Sequence, residues 1–375
     1  MNDPFPFGLQ GPTAFYLVLY LSTLLIHIVF MNYVLAGSAY LAAHLVFRGR
    51  TNEESPLAEL LRDWMPFMLS AAITAGIAPL LFLQVLYQKH FYTANLLLFS
   101  RWMAILPVLI AGFYLSYLLK SKLVHRWPLA GRAVVGCGTF ACFAFVGWSW
   151  VENHLLSVQS QQVWEEEYVA GTLLYHNPEL LPRLTLWFLA AFPTMALVVG
   201  WQLWYRHGRN NGGNKVAVNE SVPKIAGSRR TAVIAVAGII SSTLAALVYF
   251  SVMSSDARDA IKGPVAFPYL VAAIVGGVIQ LGAWVPQYLA ARLTKKWLVV
   301  ATVGLVVNFV GMAVVNEATR LAALDITELY AKHKQAREVG GLFLFLLFLA
   351  INTGLMLYCL RLVRHGWQAA PKEGD

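Results

Sequence analysis

Residues 13–47 read TAFYLVLYLSTLLIHIVFMNYVLAGSAYLAAHLVF and contain no Asp, Glu, Lys or Arg. A helix crosses the hydrocarbon of a bilayer in about 20 apolar residues, so this stretch spans one with length to spare. Comparable apolar segments follow at 63–88, 95–119, 132–155, 181–205, 230–254, 265–291, 297–318 and 339–363. Over the 375 residues, 58% are hydrophobic and 13% charged, whereas an ordinary soluble domain carries about 25% charged residues. Such a chain cannot cover itself in water, which excludes a soluble enzyme. Helices satisfy their own backbone groups in lipid, and the alternating pattern of a barrel strand is absent. The expected fold class is therefore all-α: one polytopic membrane domain over 1–375, a helix bundle with nine transmembrane helices.

The formal charge of +9 does not point to nucleic acid. Of the 28 Lys and Arg, 19 fall in the loops after the first, third, fifth and seventh segments and in the C-terminal tail. The positive-inside rule then places the N-terminus outside and the C-terminus in the cytoplasm. Residues 206–230, with a Gly-Gly and Asn-rich stretch, read as a flexible cytoplasmic loop. Residues 157–182 read as an outer surface loop carrying Glu165, Glu166 and Glu167, and Trp164 and Tyr168 at i and i+4 suit a short amphipathic helix on the membrane surface. The acidic run reads first as a solvated face, although it could steer a basic partner. Residues 1–13 show no positive charge and no cleavage pattern, so the first span is expected to be retained. Cys137, Cys142 and Cys359 lie in apolar stretches with no CxxC or CxxCH, which encodes neither a thiolate zinc site nor a c-type haem attachment.

Ionisable residues inside a membrane are costly and mark candidate sites. His27 lies near the middle of the first segment, Arg101 inside the third, Glu152 and His154 at the close of the fourth, and Glu317 and Arg320 at the close of the eighth. In the topology above all of them fall in the outer half of the membrane. Imidazole is a common metal ligand, and a haem iron needs an axial ligand and an apolar slot. His27 is the best placed of these residues, with small residues Ala36, Gly37, Ser38 and Ala39 further along its helix. A histidine hydrogen-bonded between helices is the alternative reading of the same residue. Glu317 and Arg320, three apart, could simply neutralise one another. His44, His125, His207 and His365, and His90 and His176, lie toward segment ends, where a solvated or interfacial histidine is the expected reading.

These residues resemble a known pattern. Ile26-His27-Ile28-Val29-Phe30 with Val34-Leu35-Ala36-Gly37-Ser38-Ala39-Tyr40, Ala75-Gly76-Ile77 with Phe82-Leu83-Gln84, Trp150-Val151-Glu152-Asn153, Asn177-Pro178, Lys295-Lys296-Trp297-Leu298 and Glu317-Ala318-Thr319-Arg320 follow one another in an order and spacing similar to subunit I of the cytochrome bd quinol oxidases. The chain resembles a divergent, bd-like relative over most of its length. The resemblance implies His27 as an axial haem ligand, Glu317 as a second metal ligand or near neighbour of iron, and Arg320 as a partner for a haem carboxylate, with Glu152 and His154 lining the cofactor site. It also implies the inner, cytoplasmic membrane of a bacterial-type cell.

The departures from that family shape the expectation. Leu186 stands where the family has the low-spin haem histidine, approximately Tyr269 where it has the methionine ligand, and Leu80 near its second-helix acid; the quinol loop shrinks to about 255–264. The expected cofactor is therefore haem b, one or two, a reduced set, with nothing in the residues supporting haem d. Electrons must come from elsewhere, and a c-type cytochrome on the outer face, within a complex of other membrane subunits in the lipid bilayer, meets that need. The chain is then an oxidoreductase subunit of a respiratory electron-transfer or terminal oxidase complex, inactive alone. A haem-free structural or assembly anchor that kept the fold is the competing expectation. A transporter would rest only on Arg101, Glu152 and Glu317, and no inverted repeat or pair of interrupted helices accompanies them.

Overall fold

The structure, a computed structural model, describes residues 8–47, 55–171, 175–210, 226–339 and 342–369. Fourteen helices account for nearly all of them: α1 (Gly11–Phe47), α2 (Pro56–Leu86), α3 (Gln88–Leu97), α4 (Phe99–Lys120), α5 (Lys122–His125), α6 (Leu129–Ser157), α7 (Gln161–Ala170), α8 (Leu180–Asn210), α9 (Ser228–Val252), α10 (Ser255–Lys262), α11 (Phe267–Ala290), α12 (Lys295–Ala322), α13 (Ile326–Val339) and α14 (Leu342–Ala369). Among the described residues eight helices, α1, α2, α4, α6, α8, α9, α11 and α12, are long and apolar enough to cross a bilayer. The protein is an all-α, multi-pass membrane protein. Of the ninth apolar segment, 339–363, residues 342–363 belong to α14, where Leu346–Leu355 is a described apolar stretch shorter than a span. Much of the loop expected at 206–230 and residues 172–174 of the expected outer loop lie outside the described residues.

The chain divides into two units: Tyr16–Asp325, and Met1–Phe15 with Ile326–Asp375. In the smaller unit His333 is 1% exposed and shares a 2.8 Å hydrogen bond with the Thr13 hydroxyl.

Within Tyr16–Asp325 the spans approach one another where side chains are small. A Cβ added at Gly276 of α11 would stand 2.5 Å from the backbone nitrogen of Asn308 on α12, and one at Gly304 would stand 2.8 Å from the Gly276 carbonyl. The two backbones therefore touch, as small residues allow in membrane helices, and the Asn308 amide donates to the Ala273 carbonyl at 2.8 Å. Gly238 of α9 faces Pro193 of α8 in the same way, with a Cβ position 2.6 Å from the proline ring. Helix α1 is joined to α8 by polar bonds: Asn32 donates to Thr194 at 3.2 Å and Tyr33 to Gln202 at 3.3 Å.

Contacts at the helix ends fix which ends lie together. Arg206 at the end of α8 reaches Glu59 at the start of α2 at 3.3 Å, and Lys120 at the end of α4 donates to the Asp63 carbonyl at 3.0 Å. This end carries the basic loops. The opposite end holds α7, which starts at the N-cap Ser160 and stops at Gly171 in the left-handed region (φ 58°). Trp164 and Tyr168 do not share an interfacial role there. Trp164 turns into the protein, its indole N–H donating to the Leu156 carbonyl at 2.7 Å within a cluster including Leu98, Leu155 and Leu180, while Tyr168 is 79% exposed.

Candidate functional site

His27 projects from α1 onto α2, where Ala72 and Gly76 lie one helical turn apart. Its Nδ1 is 2.9 Å from the Ala72 carbonyl. A carbonyl only accepts, so the neutral ring carries its proton on Nδ1 and its lone pair on Nε2. The ring lies against Gly76: a Cβ there would be 2.9 Å from Cε1 and 3.6 Å from Nε2. Only a glycine leaves that space. Isoleucines adjoining these residues in sequence, Ile26 on α1 and Ile73 and Ile77 on α2, are exposed, so the surroundings of this half-buried imidazole are apolar.

The remaining candidates gather at the end of the spans opposite the basic loops. Arg101 of α4 pairs with Glu152 of α6, and the other oxygen of Glu152 accepts from the Tyr175 backbone N–H at 2.9 Å. Next to Glu152, Asn153 donates to Asn95 at 2.6 Å. On α12, Glu317 accepts from the Tyr87 hydroxyl with one oxygen and from Arg320 at 3.4 Å with the other. Arg320 also reaches Nδ1 of His154 and, at 3.5 Å, the Tyr20 hydroxyl of α1. Its guanidinium lies over the Tyr87 ring at 4.8 Å. Glu152, Glu317 and Arg320 are all at least nine-tenths buried.

The donor inventory fixes the protonation of this network. Guanidinium offers only donors, so Nδ1 of His154 accepts and the ring is neutral with its proton on Nε2. The Tyr87 hydroxyl donates to Glu317, so the phenol carries its proton. The expected pairing of Glu317 with Arg320 is present as an i, i+3 bridge. The structure brings Glu317, Arg320 and His154 together and joins Glu152 to Arg101. His27 stands apart from these partners, with its own contacts to α2.

A haem can be tested against these two places. At His27 the donor set fits an axial ligand: one imidazole, a lone pair on Nε2, and Nδ1–H committed to a carbonyl, the outer hydrogen bond that metal-bound histidines characteristically make. At the polar network both oxygens of Glu317 are engaged, while Nε of Arg320 is buried without a hydrogen-bond partner. Arg320 lines a small recess with Tyr87, His90, Asn153, His154 and Ser157. That recess suits a carboxylate better than it suits a metal. Among the described residues no group of three or more His, Cys, Asp or Glu is placed to hold a metal ion.

Several members of the network escaped the sequence reading. Arg183 of α8 is 3% exposed, donates to Asn316 at 2.5 Å and to the Tyr249 hydroxyl at 3.3 Å, and stacks over Trp187. It is a cation within an apolar segment, the signal that singled out Arg101. Tyr20, seven residues before His27 and so on the same face of α1, was legible from helical spacing. Tyr87 had no such signal, because only the fold brings the end of α2 to Glu317 of α12. Comparison with protein-family models, with curated proteins and with solved structures finds no match for this chain.

Proposed function

We propose that this protein is a haem-b-carrying subunit of a membrane electron-transfer complex, similar to a reduced bd-type subunit, with His27 as the axial ligand. One observation carries the reading: inside an apolar span, the His27 imidazole has its Nδ1–H on a backbone carbonyl and rests in a space only Gly76 provides. The group itself would supply one-electron redox chemistry. The residues of the chain do the rest. The Ala72 carbonyl orients the imidazole and keeps the lone pair on Nε2. Arg320, with its unpartnered Nε, offers charge to a carboxylate, and Glu317 and Tyr87 hold that guanidinium in place. We further propose a bacterial-type cytoplasmic membrane as the location and a c-type cytochrome or another membrane subunit as the electron donor.

The test is spectroscopic. The purified full chain, assayed by pyridine haemochrome and by reduced-minus-oxidised difference spectra, is expected to contain haem b, and the His27→Ala chain, still folded, to lose it. A folded wild-type chain free of haem overturns the proposal. It would favour a second reading, a haem-free anchor, for which the observation is that the charged groups opposite the basic end satisfy one another: Arg101 with Glu152, and Arg320 with Glu317.

A further inference from the structure

One face of α11 is polar and yet buried. Gln280, Trp284 and Gln287 recur on it at i, i+4 and i+7, the helical spacing that keeps side chains in one line, here over about 10 Å. Gln280 rests on α12, where a Cβ at Gly304 would be 3.0 Å from its Cγ, and the Trp284 ring rests on α8, where a Cβ at Gly200 would be 3.3 Å from it. The line therefore runs inside the bundle, between α8, α11 and α12, and not along lipid.

The hydrogen bonds along this line do not close. The Gln280 amide oxygen and the Trp284 indole N–H are buried with no hydrogen-bond partner among the described residues, and so is the Thr294 hydroxyl. Thr294 is the N-cap of α12, where a threonine ordinarily accepts from the first turn, but its side chain makes no such bond. Its backbone N–H donates to Gln287 at 3.4 Å, which sets Thr294 at the basic end of the line. The contrast is Trp201 of α8, whose indole donates to the Thr302 hydroxyl at 3.0 Å. A polar atom taken out of water without a partner is costly, and native structures rarely leave one so.

The chemistry of the three groups selects the ligand. All are neutral, so none compensates an ion for its lost hydration. One is a donor, one an acceptor and one both. Water donates and accepts through a single atom, bridges groups one turn apart, and is what buried polar atoms characteristically bind. We propose that a file of water molecules enters the bundle at Thr294, at the basic end, and ends on the Trp284 indole and the Gln280 amide midway along α11. It goes no farther because the backbones of α11 and α12 touch at Gly276 and Gly304, one turn beyond. The proposal is independent of whether the chain holds haem.

The test is nuclear magnetic resonance of the full chain in detergent micelles, labelled with nitrogen-15 tryptophan, which reports the indole and the backbone N–H of Trp284 together. The Trp284 signals are identified by their loss in Trp284→Phe or, should that variant fail to fold, by their shift in Gln280→Leu; those of Trp201 are identified by Trp201→Phe. On transfer to heavy water the Trp284 indole is expected to exchange at least about tenfold faster than the Trp201 indole, although it is the more buried of the two, and to show a cross-peak to water. The Trp284 backbone N–H is expected to stay protected. Thr294→Val is expected to slow the Trp284 indole several-fold by removing the entry hydroxyl. A Trp284 indole that exchanges no faster than that of Trp201 overturns the proposal. So does exchange of the Trp284 indole and backbone N–H at one rate, since the helix itself is then opening, and so does an unchanged indole rate in Thr294→Val.

Discussion

At the scale of single residues, the side chains in the spans have two kinds of neighbour, and the difference decides how substitutions act. His27 depends on an absence: the missing Cβ of Gly76. A branched side chain there must displace the ring, since real Cβ atoms do not approach to 2.9 Å. Gly76→Leu is therefore expected to abolish haem content as fully as His27→Ala, while Gly147→Leu, at a position with nothing within 4 Å, leaves haem content unchanged; pyridine haemochrome on the three folded proteins checks this. Arg101 and Glu152 depend instead on a presence. Glu152 is 0% exposed, and removing its cation leaves a buried charge unpaired, which costs about 3–5 kcal/mol. Arg101→Gln is expected to lower the thermal midpoint sharply, and Arg101→Gln/Glu152→Gln to recover much of the loss, because the double variant buries no unneutralised charge. A double substitution that melts as low as the single one would remove the pair from any structural role.

At the scale of elements, the α11–α12 contact shows what holds the spans together. In lipid no hydrophobic force favours helix contact, so the gain must come from close packing and polar bonds. Gly276, Gly304 and Gly311 supply the first, and Asn308 on the Ala273 carbonyl the second. Gly276→Val must push α12 away and is expected to destabilise by about 1–3 kcal/mol or more, the usual cost of overpacking, read as a lower melting temperature in detergent. The same contact shows how far the sequence could be read. The segments 265–291 and 297–318 were visible as spans because hydropathy needs no partner. That their glycines form one seam was not visible, since a glycine in a membrane helix reads the same whether it faces lipid or another backbone. Boundaries shifted for a related reason. Helix α2 begins at Pro56, seven residues before the apolar segment at 63, because Leu57, Ala58, Leu60 and Leu61 are buried in its first two turns while the polar Glu59 and Arg62 among them lower the average hydropathy. The candidate site was half legible: the Glu317–Arg320 spacing announced its pair, while Arg320 on His154 and Tyr87 on Glu317 are tertiary facts with no local signature.

At the scale of the whole molecule, the charge distribution and the structure make one joint statement about orientation. The loops after α1, α4, α8 and α11 are rich in Lys and Arg, and side-chain contacts join ends that these loops flank: Arg206 to Glu59, Lys120 to the Asp63 carbonyl, Arg229 to Tyr288 at 3.5 Å. The acidic helix α7, with Glu165, Glu166 and Glu167, belongs to the other end, between the end of α6 and the start of α8. A cationic end resists translocation, so it should face the cytoplasm. The consequence is accessible to a membrane-impermeant thiol reagent. Cys137 and Cys142 lie within α6, so a background without native cysteines carries one new thiol at a time. Glu166→Cys is expected to react in intact cells. Lys122→Cys, at the exposed start of α5, is expected to react only once the membrane is opened. Reaction of Lys122→Cys in intact cells would invert the topology. It would place the polar network of Glu317 and Arg320 on the cytoplasmic side and so exclude an outer-face cytochrome as its electron donor, leaving the packing of every helix as described.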